Sequence, residues 1–345
     1  VAIDERDILA YYVWIPRYKY KIWTLEESST GNEQTIDIVF ESTDSISTGT
    51  TVGSYITHPA FWWDTDSDGV RDSGEELAGI WVGKFETTGT ASNPTILPNV
   101  SSLRSQNVST QYATAQKLGG TTYGVSSSSD SHMMKNSEWG AVAYLSHSKY
   151  GVNREVYNNN SSSFYTGRSG GNVGGSTPIN KTYTDQTSTT QYNKYGYYTW
   201  DGYLLNYNTN TKSSTRDLTK VASTTGNITG VYDMSGGAAE YVMGNYNNTI
   251  NSSGFTSMPD SKYYDKYTTT NSLTACNGGV CYGHGLSETS SWYGDYARFV
   301  VAGFTWFTRG GYVDGSGAGV FSRNYNEGNS NFTYGFRSVL SPIGA

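Results

Sequence analysis

Gly303-Phe-Thr-Trp-Phe-Thr-Arg-Gly-Gly311, then Tyr312 to Tyr334, then Gly335-Phe-Arg-Ser-Val-Leu340, is the stretch whose reading decides the fold. Trp306, Phe307, Arg309, Gly310, Gly311, Gly317, Gly319, Phe321, Phe336, Arg337, Val339 and Leu340 make a frame of bulky and hinge residues. Large apolar side chains need a core, and paired glycines permit positive φ and close backbone approach. The frame brackets two runs, Tyr312 to Ser316 and Ser322 to Tyr334, rich in Asn, Tyr, Ser and Gly. Tyr offers broad amphipathic contact at low entropic cost, and Ser, Asn and Gly offer adaptable hydrogen bonding. The segment 303–341 thus reads as a displayed ligand-binding surface carried by Tyr312, Val313, Asp314, Ser316, Ser322, Asn324, Asn326, Asn329, Asn331 and Tyr334. Solvated loops between strands would have a similar composition. Strand alternation predicts Ser322, Asn324 and Asn326 on one face, with Phe321 and Arg323 opposite.

The elements Trp306-Phe-x-Arg-Gly-Gly311, Ala318-Gly-Val-Phe321 and Gly335-Phe-Arg337 resemble the C-terminal signature of the formylglycine-generating-enzyme, or sulfatase-modifying-factor, branch of the C-type lectin fold. More particularly, they resemble the variable proteins of diversity-generating retroelements. Three further stretches match that branch in order: Gly79 to Thr88 as a core strand, Ser137 to Leu145 as the second helix, and Asn227 to Tyr241 as a central segment ending in Glu240 and an aromatic. The resemblance implies an α+β fold with two helices, mixed short strands and long irregular insertions. It also implies a noncatalytic, surface-displayed ligand-binding or adhesion protein. Alternatives are a formylglycine-generating-enzyme-related oxidoreductase and a structural pilus or phage subunit. One domain over 1–345 is expected, with an N-terminal hairpin region at 1–57 and insertions at 150–225 and 245–290. Relatives bearing a stretch like Trp14 to Tyr20 often carry a prepilin-like anchor upstream, which implies display on a bacterial cell surface or phage particle. The resemblance further implies that Glu240 is a buried acid in a hydrogen-bonding or metal-supporting role, and that Asn227, Ile228 and Asp233 help form a second calcium site.

The sharpest chemical motif is Asp64-Thr-Asp-Ser-Asp-Gly-Val-Arg-Asp-Ser-Gly-Glu75. Asp64, Asp66, Asp68, Asp72 and Glu75 occupy positions 1, 3, 5, 9 and 12 of a calcium loop, Val70 offers a carbonyl at 7, and Gly69 takes the tight turn at 6. Ca²⁺ takes six to eight oxygens, which this set with a water can supply. The flanks, Phe61-Trp-Trp63 and Leu77 to Trp81, do not read as two long helices, so a structural calcium clamping a loop is expected.

Composition bounds the rest. A net charge of -7 with no basic stripe argues against nucleic acid as partner. The expected partner is an unknown protein or cell-surface ligand. No apolar run reaches the roughly 20 residues that span a bilayer, so no membrane insertion is expected of this segment. Forty Gly and 14% aromatic residues favour strands and irregular structure.

Tyr11 to Trp23 alternates as a strand, with Arg17, Lys19 and Lys21 on a solvated face. Thr35 to Phe40, with Ile36, Ile38 and Phe40 sharing a face, completes a hairpin. Helices are expected over Ser101 to Leu118, strongest from a cap at Ser109, and over Lys135 to Ser146. Aromatics such as Tyr197 and Trp200 favour an ordered insertion with short strands at 150–225.

Cys276-Asn-Gly-Gly-Val-Cys281 favours a local disulfide, with a two-cysteine metal site near His284 as the weaker option. The related oxidases carry their cysteine pair after the Arg-Gly-Gly element, whereas here both cysteines precede Arg309. No enzymatic activity is expected. His58, His132, His147 and His284 show no metal-ligand spacing, and the sequence has no G-x-S-x-G elbow or phosphate loop.

Overall fold

A computed structural model describes residues 7–23, 33–69, 71–72, 74–126, 129–159, 161, 163–169, 172–173, 177–178, 196–197, 205–206, 211–212, 222–268, 281–313 and 317–342. Among these, the architecture is mixed α+β, with two α-helices and several small sheets. No helix among them is long and apolar enough to cross a membrane.

The expected N-terminal strand divides into β1 (Tyr12–Pro16) and β2 (Tyr18–Lys21). Pro16 has no N–H to continue a ladder, and Arg17 turns the chain between two sheets, its N–H bonded to Ala78 O at 2.8 Å. β2 pairs antiparallel with β3 (Ile38–Phe40), as the hairpin reading requires, and also with β4 (Tyr55–Thr57). Arg17 corrects the expectation of a solvated basic face. It is 1% exposed, donates to Phe61 O and Ser45 O, and pairs with Glu76 and Glu41. Ile36 and Ile38 are buried as expected, but Phe40 at the strand end is 41% exposed and packs on Tyr150 with ring centroids 4.6 Å apart.

Two larger sheets organise the remainder. β5 (Gly79–Gly83) lies between β1 and β20 (Ser338–Pro342), and β20 pairs on its other side with β8 (Ser129–Met133). The second sheet runs β16 (Asp265–Tyr267), β15 (Ala239–Tyr246), β17 (Trp306–Gly310) and β18 (Gly319–Asn326), and β19 (Tyr334–Phe336) joins β15 in parallel. A short hairpin is made by β6 (Thr88–Gly89) and β7 (Pro94–Thr95). Among the described residues of 150–225, six two-residue strands form, in line with the expected short strands: β9 (Arg168–Ser169), β10 (Asn172–Val173), β11 (Thr177–Pro178), β12 (Gly196–Tyr197), β13 (Leu205–Asn206) and β14 (Thr211–Lys212).

Helix α1 spans Val108–Lys117 and is capped by Asn107, not Ser109: Asn107 Oδ1 accepts from Thr110 N at 3.0 Å. Asn107 holds the extended backbone of a cap, whereas Ser109 is already in the first turn. Helix α2 (Asn136–Ser146) lies within a residue of expectation, and nearly every side chain on it is buried. Such a helix is central rather than amphipathic. Trp139 reaches from it to β18, donating Nε1–H to Val320 O at 2.7 Å.

His132 on β8 is locked to α2. Its Nδ1 lies 3.0 Å from Asp130 Oδ1 and its Nε2 2.9 Å from Glu138 Oε1. Burial alone would depress the imidazole pKa, but the Glu138 and Asp130 charges and hydrogen bonds outweigh it and raise it to about 9. A raised pKa contributes stability fully present below the unfolded value of about 6.5 and lost as pH rises through the folded value. The stability gap between wild type and His132→Gln, measured by urea unfolding, is therefore expected to shrink between about pH 6.5 and pH 9. A gap constant across that window would contradict a charged His132.

Candidate functional site

The C-terminal sheet builds the candidate surface from its register. β17 is central, with Tyr241 opposite Thr308, Thr308 opposite Asn324, and Trp306 opposite Asn326. Ala239 stands opposite Tyr334 and Tyr241 opposite Phe336. Residues paired across strands share a face, so Tyr241, Tyr334, Asn324 and Asn326 lie on one side, while Glu240, Arg309 and Arg323 point to the other.

On the first side the single hydroxyl proton of Tyr241 is shared between Asn326 Oδ1 at 2.5 Å and Asn329 O at 3.0 Å. Asn326 Nδ2 donates to Tyr334 OH at 2.9 Å, and the Tyr241 and Tyr334 rings meet at 60° with centroids 4.9 Å apart. Burial raises the pKa of both phenols, and Tyr312 lies close enough to add to the rise at Tyr334. Tyr241 is 0% exposed and Tyr334 half-buried, so the cluster passes from core to surface through hydrogen-bonded rings.

The proposed contact residues divide by position. Tyr312, Asn329 and Asn331 are exposed; Val313, Asn324, Asn326 and Tyr334 are half-buried. Ser322 corrects the expectation of a shared displayed face, since it is 2% exposed. It lies in the buried part of β18, where the neighbouring Phe321 N–H bonds Asp295 Oδ2 at 3.0 Å. Asp314 and Ser316 lie outside the described residues. Asn331 Oδ1 accepts from Thr333 N at 3.0 Å, a local turn that lifts Phe332 to 66% exposure.

Sequence reading passed over Phe332, and also an aromatic ladder on the opposite side of β18. There Arg298 lies 4.8 Å from the ring centre of Tyr296 and 5.5 Å from that of Tyr325, and Tyr325 packs on the 40% exposed Phe304. Tyr325 lies inside the expected run, and its period-two position opposite Phe307 was the available signal.

Beneath the surface the frame is closed. Trp306, Phe307, Arg309, Phe336 and Arg337 are all 0% exposed. Gly310 and Gly311 adopt φ of 79° and 71°, and a Cβ on Gly311 would stand 2.6 Å from Ala318 Cα. Arg309 donates to Gly285 O at 3.1 Å and Asn136 Oδ1 at 3.1 Å, and burial lowers its pKa to about 9. Glu240 is paired with Arg337 at 2.5 Å; burial raises its pKa to about 7 against the pull of Arg337.

In the acidic loop, Asp64, Asp66 and Asp68 bring ligand oxygens within 4.8 Å of one another. Asp64 Oδ2 accepts from Gly69 N at 3.0 Å and Asp66 Oδ1 from Asp68 N at 3.2 Å, with Gly69 at φ 77°. Asp64 is 7% exposed, and its Oδ1 is buried with no hydrogen-bond partner. Glu75 is occupied elsewhere. Its carboxylate accepts from Thr65 N at 2.6 Å, Thr65 Oγ1 at 2.7 Å, Trp62 Nε1 at 2.8 Å and Asp72 N at 3.1 Å. Burial opposes ionisation there, but these donors win and bring its pKa down to about 2. The Asp72 carboxyl is shifted up by desolvation and then by the charges of Asp68, Glu75, Asp66 and Asp64. Val70 lies outside the described residues.

The oxygens of the second calcium set implied by the resemblance each accept hydrogen bonds from the protein. Asp233 Oδ1 accepts from Asn159 Nδ2 and Gly167 N, both at 2.9 Å. Ile228 O is bonded by Lys84, and Asn227 Oδ1 accepts from Thr229 N at 2.8 Å. Cys281 is disulfide-bonded; Cys276 lies outside the described residues.

The phenol of Tyr241 is the joint between frame and surface, so Tyr241→Phe should cost about 1–2 kcal/mol, the net worth of a buried hydrogen bond and the penalty on its acceptors. Denaturant unfolding should show a lower midpoint at unchanged slope. An unshifted midpoint would mean that the hydroxyl carries no structural load.

Comparison with known proteins finds no matching family model and no matching curated sequence.

Proposed function

We propose that this chain is a noncatalytic ligand-binding or adhesion protein. In this reading its α+β architecture is a C-type lectin fold of the formylglycine-generating-enzyme type, and its contact surface is the Tyr/Asn side of the C-terminal sheet. The supporting observation is the division within 303–341. Trp306, Phe307, Arg309, Phe336 and Arg337 have no exposure, while Tyr312, Asn329, Asn331 and Phe332 between them are exposed. A closed frame makes rigid presentation of aromatic and amide groups possible, and preorganisation reduces the entropy lost on binding. Display at a bacterial or phage surface, and diversification of these positions by a retroelement, belong to the same proposal.

Binding is tested by presenting the full chain to a panel of cell-surface ectodomains and glycans. A ligand so found should lose about tenfold or more in affinity with Tyr312→Ala combined with Asn331→Ala, because exposed anchors carry most interface energy. Thermal stability should stay within about 0.5 kcal/mol, as for surface substitutions generally. Undiminished binding by a folded double variant would place the contact surface elsewhere.

A structural calcium ion at Asp64, Asp66 and Asp68 is part of the proposal, supported by their convergence and by the unpartnered buried Oδ1 of Asp64. Bound calcium should stabilise the chain by about 2.7 kcal/mol at a hundredfold excess over Kd. Thermal unfolding in calcium against EGTA should register this, and Asp66→Asn should abolish the difference. Identical unfolding in both buffers would remove calcium from the account.

A further inference from the structure

An unassigned cavity of about 570 Å³ opens beside the acidic loop and reaches the N-terminal turn of α2. Asp64, Gly69, Lys135 and Lys266 all line it. Ile56, Pro59 and Tyr282 supply apolar wall. Its volume lies within the roughly 300–1,000 Å³ of small-molecule sites, which combine apolar walls with a few fixed polar groups.

The polar groups fall into those already satisfied and those left over. Asp265 is partly engaged, its carboxylate accepting from Ser137 N at 2.6 Å and Ser137 Oγ at 3.2 Å. Arg71 is spent on Glu76. Lys135 is held over the Trp63 ring, its Nζ 5.1 Å from the centroid and 3.9 Å from Glu138 Oε1. Lys266 makes no ion pair among the described residues, and Asp64 Oδ1 has no hydrogen-bond partner. Tyr267 OH accepts from Asn136 Nδ2 at 2.7 Å and lies 2.8 Å from His284 Nδ1. Tyr267 is thus free to donate its proton to Nδ1, which leaves Nε2 of a neutral His284, another cavity residue, as an N–H donor. The uncommitted groups include the Lys266 cation and the His284 N–H, beside carboxylate oxygens of Asp64 and Asp265.

The loop itself favours an incoming ligand. Glu75 cannot serve as a bidentate calcium ligand while four protein donors hold its two oxygens. Asp64, Asp66 and Asp68 alone therefore supply fewer than the six to eight oxygens calcium requires if each gives one oxygen, and an incoming oxyanion can supply others. Asp64 and Gly69 turn that side of the loop toward the cavity.

We propose that the cavity is a second ligand site, separate from the C-terminal surface, for a small carboxylate with a flat apolar body. Its oxyanion is shared between calcium at the acidic loop and Lys266, and its body lies against Ile56, Pro59 and Tyr282. The inference rests on the calcium reading above.

Isothermal titration of the full chain separates the two. Calcium is titrated first, alone; then hippurate, an aromatic-bodied carboxylate, is titrated at saturating calcium and again in EGTA. The expected result is saturable hippurate binding in calcium, weakened about tenfold or more both in EGTA and by Lys266→Met, with the calcium isotherm of Lys266→Met unchanged. Tyr282→Ala should weaken hippurate in the same way, and neutral hippuramide should not bind. Calcium binding without hippurate binding would overturn the inference and leave the calcium site standing. Equal hippurate binding in EGTA would overturn it by removing the ion from the site. No calcium isotherm would overturn the calcium reading and this inference together.

Discussion

The buried guanidinium of Arg337 is the constraint on which the two main sheets depend. The chain leaves β19, parallel to β15, and enters β20, antiparallel to β5, with Arg337 as the one residue between. Its Nε and Nη2 donate to Glu240 on β15, Nη1 donates to Gly83 O on β5 at 2.7 Å, and Nη2 also reaches Tyr232 O at 2.9 Å. A fully buried guanidinium must satisfy its rigid fork of N–H groups or pay a heavy desolvation penalty. The relative placement of the sheets is therefore set by hydrogen-bond geometry as well as by apolar contact. The cation also stands among three buried carboxyls. Burial raises Asp233 to about 6, Glu240 to about 7, and Glu86 well above its ordinary value, with Arg337 opposing each rise.

This arrangement explains how a Tyr- and Asn-rich surface can coexist with an ordered sheet. Arg309 and Arg323 spend their donors on carbonyls of the 284–286 loop, and Trp139 of α2 holds β18 through Val320 O. Strand positions facing these groups are committed to the core. Residues beyond the strand ends, at 312–313 and 329–332, carry little of that burden. Tyr241 links the two regimes, its ring buried and its hydroxyl directed to Asn326 and Asn329.

Much of this was legible in the residues themselves. Paired glycines at 310 and 311 do take positive φ, the bulky residues of the C-terminal frame are buried, and α2 falls within a residue of the span its apolar content suggests. Illegible features share a cause: partners distant in sequence. Arg17 alternates like a solvent-facing strand residue, but Glu41 and Glu76 meet it in space. Ser322 has the period of a displayed position, yet lies on the covered half of β18. Glu75 occupies the twelfth position of a calcium loop, and only the folded chain brings Trp62 and Thr65 to its oxygens. Ser109 and Asn107 are both good caps, and the choice between them depends on backbone outside the helix, where Ser253 O takes the Ser109 N–H at 2.9 Å.

The central claim is that 303–341 is a buried frame carrying replaceable surface positions. Saturation mutagenesis of that segment, read by protease resistance of the displayed chain, tests it most directly, because ligand identity does not enter. The account predicts that Trp306, Arg309, Phe336 and Arg337 accept almost no substitution, with losses of about 3–5 kcal/mol for truncating a buried aromatic or one partner of a buried ion pair. Tyr312, Asn329 and Phe332 should accept nearly any residue. Equal sensitivity across the two groups would contradict it.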